Sequence, residues 1–367
     1  MKKIFYLLAA LCFLASAAFF IRARNGQADR EAGRVVRLGY FLGGRTNLFG
    51  RAFADGYFDR EGVNVELNTR WLGGEPLKMP KDTAEVAALQ GGGHFSKITG
   101  TEIVDMITRG ELDGGLIGDA SFISAAHAGK PIVAVALLGH DRKDEPNHGV
   151  VLRKGLVIRK PADFAGLRLI TRSAGPGDLV FLKEFLRKEG VPEKSVTIID
   201  NVDAASVRTI LAEGKADGGY LHLMSIERHV RKGEVYLYRP LNWVNPEISL
   251  ALLVFRKDFL EANRGLVERI VAGYMKRILY EQSIPDHKRE KNKKGKGGKT
   301  ALMEMDFPGM NLPVYEYPPK IRLGLLREME ALMRSHGLLK GEADLEKYTD
   351  LGVVETVLKK QAAAAKE

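Results

Sequence analysis

An α/β fold built as two similar lobes is predicted for this 367-residue chain by three observations. The first is a repeat: Gly110, Asp113, Gly114 and Gly115 return at the same spacing as Gly214, Asp217, Gly218 and Gly219, each time after a helix-like stretch. The second is a shared upstream element, Glu61, Gly62 and Val63 in one copy and Glu189, Gly190 and Val191 in the other, each leading into a short apolar run. The third is the alternation of strand-length apolar runs with stretches of helical spacing, the pattern of parallel sheets joined by right-handed crossovers. Paired lobes of this kind imply a cleft.

The first lobe opens with Val35–Phe41, short and apolar enough for a buried parallel strand. Gly43 to Thr46 form a loop, and Asn47 is a plausible N-cap for a helix Leu48–Phe58, which carries Phe49, Ala52, Phe53 and Tyr57 at helical spacing. Glu61 and Gly62 end that helix, with the glycine suited to a left-handed cap. A strand Val63–Leu67 follows. From Gly62 to Gly110 the chain then advances 48 positions, against 24 from Gly190 to Gly214, so the first copy carries a surplus that includes Trp71, Gly73, Gly74 and Gly91–Gly93. Leu116 and Ile117 form the next strand, Gly118–Ser121 cap a helix reaching His127, and Pro131–Leu138 is another buried strand.

The second lobe runs from about Val150 to Leu250. Its strand Leu167–Thr171 passes through a Ser/Gly-rich turn, Arg172–Asp178, into a helix Leu179–Lys188. Strand Val196–Ile199, helix Ala205–Ala212 and strand Gly219–Leu221 follow, and Ser249–Phe255 reads as a return strand to the first lobe. Beyond Leu260 the pattern is helical: Leu266–Tyr280, Pro318–Gly337 and Leu351–Ala363. Lobe 1 is therefore expected at 35–148 and 251–367, and lobe 2 at 149–250. The two crossings, near Gly149–Leu152 and Ser249–Val254, would form a two-strand hinge.

Met1–Ile21 stands apart. Lys2 and Lys3 precede an apolar run from Ile4, and Ala15, Ser16 and Ala17 offer a small-x-small cleavage signal. Phe19, Phe20 and Ile21 extend the run to the length of a membrane anchor. Cleaved signal or retained anchor, the segment places the bulk of the chain outside the cytoplasm. The sole cysteine, Cys12, lies within it, with Leu11 where a lipidation signal has a small residue, so the remainder has neither disulfide nor thiolate chemistry.

The net charge of +10 invites a nucleic-acid reading. Much of it comes from His287–Lys299, which holds seven Lys or Arg against one Glu and no aromatic for base stacking. Residues 285–300 are read instead as a solvated loop, with weak attraction to an anionic membrane surface as the alternative. Gly298, Lys299 and Thr300 imitate the end of a phosphate-binding loop, but Lys293 occupies its first glycine position. No nucleophile elbow or metal-ligand spacing occurs, and the eight histidines are scattered. No catalytic residue, metal or cofactor is expected.

What remains is a set of turns at strand C-terminal ends, which face the ligand crevice in open parallel sheets. Their free amides at helix N-termini suit carboxylate, sulfonate, nitrate or phosphate groups. The Thr171–Asp178 turn is the best of them: Ser173 and the amides about Gly175 can donate and Arg172 can supply charge, while Asp178 can alternatively serve only as a cap. In the facing turn, Asp119 can bind a ligand amine or merely cap its helix. Tyr40, Trp71, Tyr220 and His222 stand near strand ends, where a core or hinge role is equally open. Asp113 and Asp217 read as turn-forming.

These residues resemble the periplasmic substrate-binding proteins of ABC importers, in the group that binds nitrate, sulfonates, taurine and thiamine precursors. The resemblance rests on Arg37–Tyr40, Ala54–Glu66, Gly110–Val135, Pro161–Arg168 and Phe181–Val191, and more loosely on Gly337–Asp350. It implies a type II periplasmic binding protein fold: two parallel-rich sheets with flanking helices and a two-strand hinge, closing on a small anionic or zwitterionic ligand. It also implies a monomeric receptor that docks on an ABC permease with its ATPase and performs no catalysis. The contacts it implies are Tyr40, Arg45, Asn47, Trp71, Asp119, Ala120, Ser121, Gly139, His140, Arg172, Ser173, Gly175, Tyr220, His222 and Glu247. The Trp71–His94 surplus and the Lys-rich run depart from the pattern, so ligand identity does not carry over. The rival readings are a cofactor-less enzyme on the same scaffold and an anchored sensor domain.

Overall fold

The computed structural model describes residues 33–40, 44–70, 76–81, 98–140, 148–172, 176–202, 206–222, 233–240, 250–284 and 313–365. In chain order these form β1 (Val35–Gly39), α1 (Asn47–Ala54), α2 (Tyr57–Arg60), β2 (Asn64–Arg70), β3 (Pro76–Lys78), α3 (Gly100–Thr108), β4 (Gly114–Gly118), α4 (Asp119–His127) and β5 (Ile132–His140). Then come β6 (His148–Arg153), β7 (Arg168–Arg172), α5 (Pro176–Lys188), β8 (Thr197–Val202), α6 (Val207–Ala212), β9 (Gly218–His222), β10 (Val235–Pro240) and β11 (Leu250–Arg256). Helices α7 (Lys257–Ala262), α8 (Arg264–Ser283), α9 (Leu323–Ser335) and α10 (Gly352–Ala364) complete the chain.

Two sheets result. The first has the order β3-β2-β1-β4-β11-β5 and the second the order β10-β6-β9-β7-β8. Parallel pairs β1–β2, β1–β4, β7–β8 and β7–β9 lie at the heart of each. Both sheets are nonetheless mixed. β11 runs antiparallel to β4 and β5, and β6 runs antiparallel to β9 and β10. The apolar runs at Gly149–Leu152 and Leu250–Val254, expected as hinge crossings, are internal strands of the second and first sheets. Residues whose every side chain is apolar belong inside a sheet covered on both faces. The passages between sheets precede them, at 141–147 and 241–249, outside the described residues.

The repeat has one structure in both lobes. Gly110 and Gly214 end helices α3 and α6 with φ of +77° and +67°, where a side chain would be strained. Asp113 then accepts from the Arg37 backbone amide at 2.9 Å and the Arg37 guanidinium at 3.3 Å, while that guanidinium also donates to the Gly110 carbonyl. Asp217 does the same with Arg168, at 2.9 and 3.1 Å, and the Arg168 guanidinium donates to Gly214. A second arginine joins each cluster: the amides of Arg256 and Arg153 donate to the Asp113 and Asp217 carbonyls, both at 2.9 Å. The glycines after each aspartate are squeezed by neighbouring strands. A Cβ on Gly114 would lie 2.5 Å from the Val254 carbonyl oxygen, and one on Gly218 2.3 Å from that of Val151. These aspartates do more than form a turn; they fasten the start of one strand to its neighbours.

The expected helix Leu48–Phe58 is divided. Gly56 has φ +71° and separates α1 from α2, so that Phe58 turns back under Phe49 with ring centroids 4.8 Å apart. Thr46 rather than Asn47 precedes the first helical residue, and no side chain caps it. α8 carries Leu266, Val267, Ile270, Val271, Tyr274 and Ile278 against α1 and the first sheet. Within that apolar packing Arg277 is buried, held by Asp55 at 3.2 Å and Glu281 at 2.8 Å. Among the described residues no helix is long and apolar enough to cross a membrane.

Candidate functional site

The carboxyl ends of β1, β4, β7 and β9 bring together most of the predicted site residues. β4 leads directly into α4, and α5 begins four positions after the last residue of β7, so each of these helices follows a central strand. The two beginnings meet across the lobes: a Cβ built on Gly177 would lie 3.6 Å from the Ala120 Cβ. Helix N-termini carry unsatisfied amides and partial positive charge. Two of them, one per sheet, border the same seam.

Each N-terminus carries its own carboxylate. Asp119 is buried, with Oδ1 accepting from the Ala120 amide at 2.8 Å and Oδ2 from the Leu250 amide at 2.9 Å. It thereby pins α4 to the start of β11, the structural role expected as the alternative to a ligand-amine contact. Asp178 takes a bidentate bond from Arg172, Nε at 2.7 Å and Nη2 at 3.0 Å, with both side chains largely buried. The Arg172 charge is thus matched within its own turn rather than held out as an isolated cation. Next to it Thr171 donates to Asp200, across the β7–β8 pair.

Several other predicted contacts are committed to packing. Tyr40 is fully buried; its hydroxyl lies against α1, where a Cβ on Gly50 would come within 2.3 Å. Burial pushes its phenol well above the ordinary range, with Arg51 and Thr46 opposing. Its ring belongs to the lobe core, because β1 turns alternate side chains inward and residue 40 falls on the inward side. Ser121 packs on the N-terminus of α3, where a Cβ on Gly100 would lie 2.6 Å from its Oγ. Tyr220 is also buried, stacked on His148 at 5.7 Å and packed against Phe181. Asn47 is buried at the start of α1, and its Oδ1 has no hydrogen-bond partner among the described residues.

Arg45 lies in the turn before α1 and reaches the start of β11, its Nη1 donating to the Leu250 carbonyl at 3.4 Å. Gly139 admits both the Arg45 carbonyl and the Tyr315 ring, each 3.1 Å from where its Cβ would be. His140 donates through Nε2 to Glu316 at 3.1 Å, and its backbone pairs with Val314. Nothing in the sequence announced Val314, Tyr315 and Glu316 at this place, since their partners lie far away in the chain. Leu250, the first residue of β11, and Asp200, inside β8, were likewise unmarked, since neither lies at a strand C-terminal end. His222 pairs with His148 through its backbone. Trp71, Ser173, Gly175 and Glu247 lie outside the described residues, as do the Lys-rich run and Met1–Ile21. Among the described residues no cluster of three or more His, Cys, Asp or Glu is placed to hold a metal ion.

A family profile described as NMT1/THI5 like matches residues 97–287, which carry β4 to β11 and the whole second sheet. The chain belongs to the NMT1/THI5-like family. No curated protein compared with it matches in sequence. Solved structures match in fold. The alkanesulfonate-binding protein SsuA from Xanthomonas axonopodis pv. citri, bound to MOPS, superposes with a TM-score of 0.61 at 14% identity, covering 86% of this chain and 98% of that one. The putative periplasmic sulfonate-binding SsuA from Methylobacillus flagellatus KT gives 0.60 at 20% identity, over 90% and 96%. The desulfurization enzyme DszB gives 0.56 at 13% identity, over 89% and 99%. This member of the NMT1/THI5-like family thus has the periplasmic binding protein fold, two mixed sheets with flanking helices.

Proposed function

We propose that this protein is an extracytoplasmic solute-binding protein that closes two lobes, 35–148 with 251–367 and 149–250, on a small anionic or zwitterionic ligand of the sulfonate, taurine or nitrate class. It then delivers the ligand to an ABC permease and its ATPase. The observation that carries the reading is the meeting of α4 and α5 at the seam, where Ala120 and Gly177 approach from different sheets. Anions are favoured wherever backbone amides at helix N-termini converge. Ser173 and Gly175, between β7 and α5 in the chain, with Trp71, His222 and Glu247, complete the proposed contact set. Tyr40, Ser121 and Tyr220 support it from the core. Export through Met1–Ile21, cleaved or kept as an anchor, puts the receptor where a permease needs it, as a monomer. Binding energy here goes into closing the lobes, since a ligand that touches both stabilises the closed state by its differential affinity.

The test is a thermal-shift titration of the protein with methanesulfonate, taurine and nitrate. Saturating ligand at about 100 times Kd adds about 2.7 kcal/mol to stability, so the midpoint climbs with concentration. Absence of any shift across the three anions would sink the ligand class. The fold match to DszB raises an enzyme as the second reading. Release of sulfite from a sulfonate or sulfinate by the purified protein would replace transport with catalysis.

A further inference from the structure

The C-terminal helix α9 lies against both α4 of the first lobe and α5 of the second. Its Leu326, Met329 and Met333 share one buried apolar cluster with Ile123 of α4 and with Phe181 and Phe185 of α5. A histidine–glutamate pair marks each contact. On the first-lobe side, His127 Nε2 at the end of α4 meets Glu330 Oε1 of α9 at 2.5 Å, and Glu330 also accepts from the Ala343 amide at 2.7 Å. On the second-lobe side, His336 Nε2 just past α9 meets Glu184 Oε2 of α5 at 3.0 Å. All four side chains are at least 88% buried, with 12% the largest exposure among them.

We propose that α9 is a clasp across the two lobes, fastened by His127–Glu330 on one side and His336–Glu184 on the other, and that protonation of these histidines tightens it. The proposal rests on the two-lobe fold and not on the identity of the ligand. Histidine is the side chain that gains its charge between about pH 8 and 5. A charge on the imidazole adds a direct Coulombic attraction to the glutamate carboxylate it already meets by hydrogen bond. The clasp is therefore expected to be firmer when the imidazoles carry charge than when they do not. Burial works against the Glu184 charge, but hydrogen bonds from Arg187 and His336 prevail and hold its carboxyl below the usual range.

The surrounding charges set the relative weight of the two pairs. Among the described residues Glu330 pairs with His127 and with no second cation, so a charge on that imidazole faces one buried carboxylate. Glu184 is already shared with Arg187 at 2.6 Å, which tempers the gain at His336. The other ion pairs nearby close on themselves at the surface: Lys130–Asp105 beside α4, Lys183–Glu193 on α5, and Arg334–Glu342 and Arg327–Glu346 on α9.

Interlobe distances measured by pulsed electron resonance test this directly. Spin labels go on the full chain at Lys194→Cys, exposed on the second-sheet side, and Lys359→Cys, exposed on α10, with Cys12→Ser removing the native thiol. Without ligand, the long-distance population at pH 8 is expected to be about twice that at pH 5.5. Replacing both histidines, His127→Asn with His336→Asn, keeps a donor in each place but removes the titration, and the pH response should vanish. Identical distance distributions at the two pH values, or a response undiminished in the double variant, would overturn the clasp. The first measurement needs no clasp variant, so a misfolded double variant leaves the proposal exposed to disproof.

Discussion

At the scale of single residues, the repeated aspartates have the most definite physical role. Asp217 is buried between Arg168 and Arg153, accepting from Arg168 Nε at 3.1 Å and Arg153 Nε at 3.0 Å. Burial opposes its charge, yet the hydrogen bonds from the Arg168 side chain and backbone and from Arg153 hold its carboxyl below the usual range. A carboxyl depressed in the folded state contributes stability above its unfolded value near 4, and that contribution disappears as the pH falls through the folded value. Asp217→Ala should therefore lower stability by about 1–3 kcal/mol at neutral pH. The gap between parent and variant in urea melts should close as the pH drops below about 4. A gap that is independent of pH would mean that the backbone bonds alone matter. These aspartates were legible from the sequence as structural, because a short acid before two glycines suits a turn. Their arginines were not, since Arg37 and Arg168 lie many residues upstream and only strand pairing brings them in.

At the scale of elements, α1 shows how tightly the helices are set. A Cβ on Gly50 would lie 2.3 Å from the Tyr40 Oη and 2.9 Å from its Cζ, while Arg51 and Arg277 tie the neighbouring turns to Glu281. Gly50→Ala should cost about 1–3 kcal/mol through overpacking, despite the gain in helix propensity. Adding Tyr40→Phe removes the nearest atom and should recover part of that loss in a double-mutant cycle read by thermal melting. Additive losses would show that Tyr40 and Gly50 do not compete for space. The boundary between α1 and α2 was missed in the sequence for a related reason. Phe49, Ala52, Phe53 and Tyr57 keep helical spacing across Gly56, and only the packing of Phe58 beneath Phe49 requires the break.

At the scale of the whole molecule, the balance of charge at the lobe seam governs what can bind. Arg172 and Asp178 cancel one another at the N-terminus of α5. Asp178→Asn removes a carboxylate from beside Arg172 and should tighten methanesulfonate binding, whereas Arg172→Gln removes the cation from beside Asp178 and should weaken it, each by about tenfold for a change near 1.4 kcal/mol. Calorimetric titration of both variants reads the sign. The opposite order of affinities would indicate a cationic ligand.

The lobes, their duplication and the run of strands and helices could be read before any coordinates, because hydrophobic periodicity and glycine punctuation are local properties. Parallel pairing within each lobe, which brings strand C-termini to one edge, was legible in the same way. Local patterns carry no information on which neighbour a side chain finds. That is why the Leu250 partner of Asp119, and the core neighbours of Tyr40 and Tyr220, are seen only in the structure. It is also why the contacts of α9 with α4 and α5, and of Val314 and Glu316 with His140, could not be read from the sequence. Antiparallel return strands, closed salt bridges and helix beginnings that meet across two sheets arise from long-range packing. Most of those contacts exist only when residues far apart in the chain are brought together.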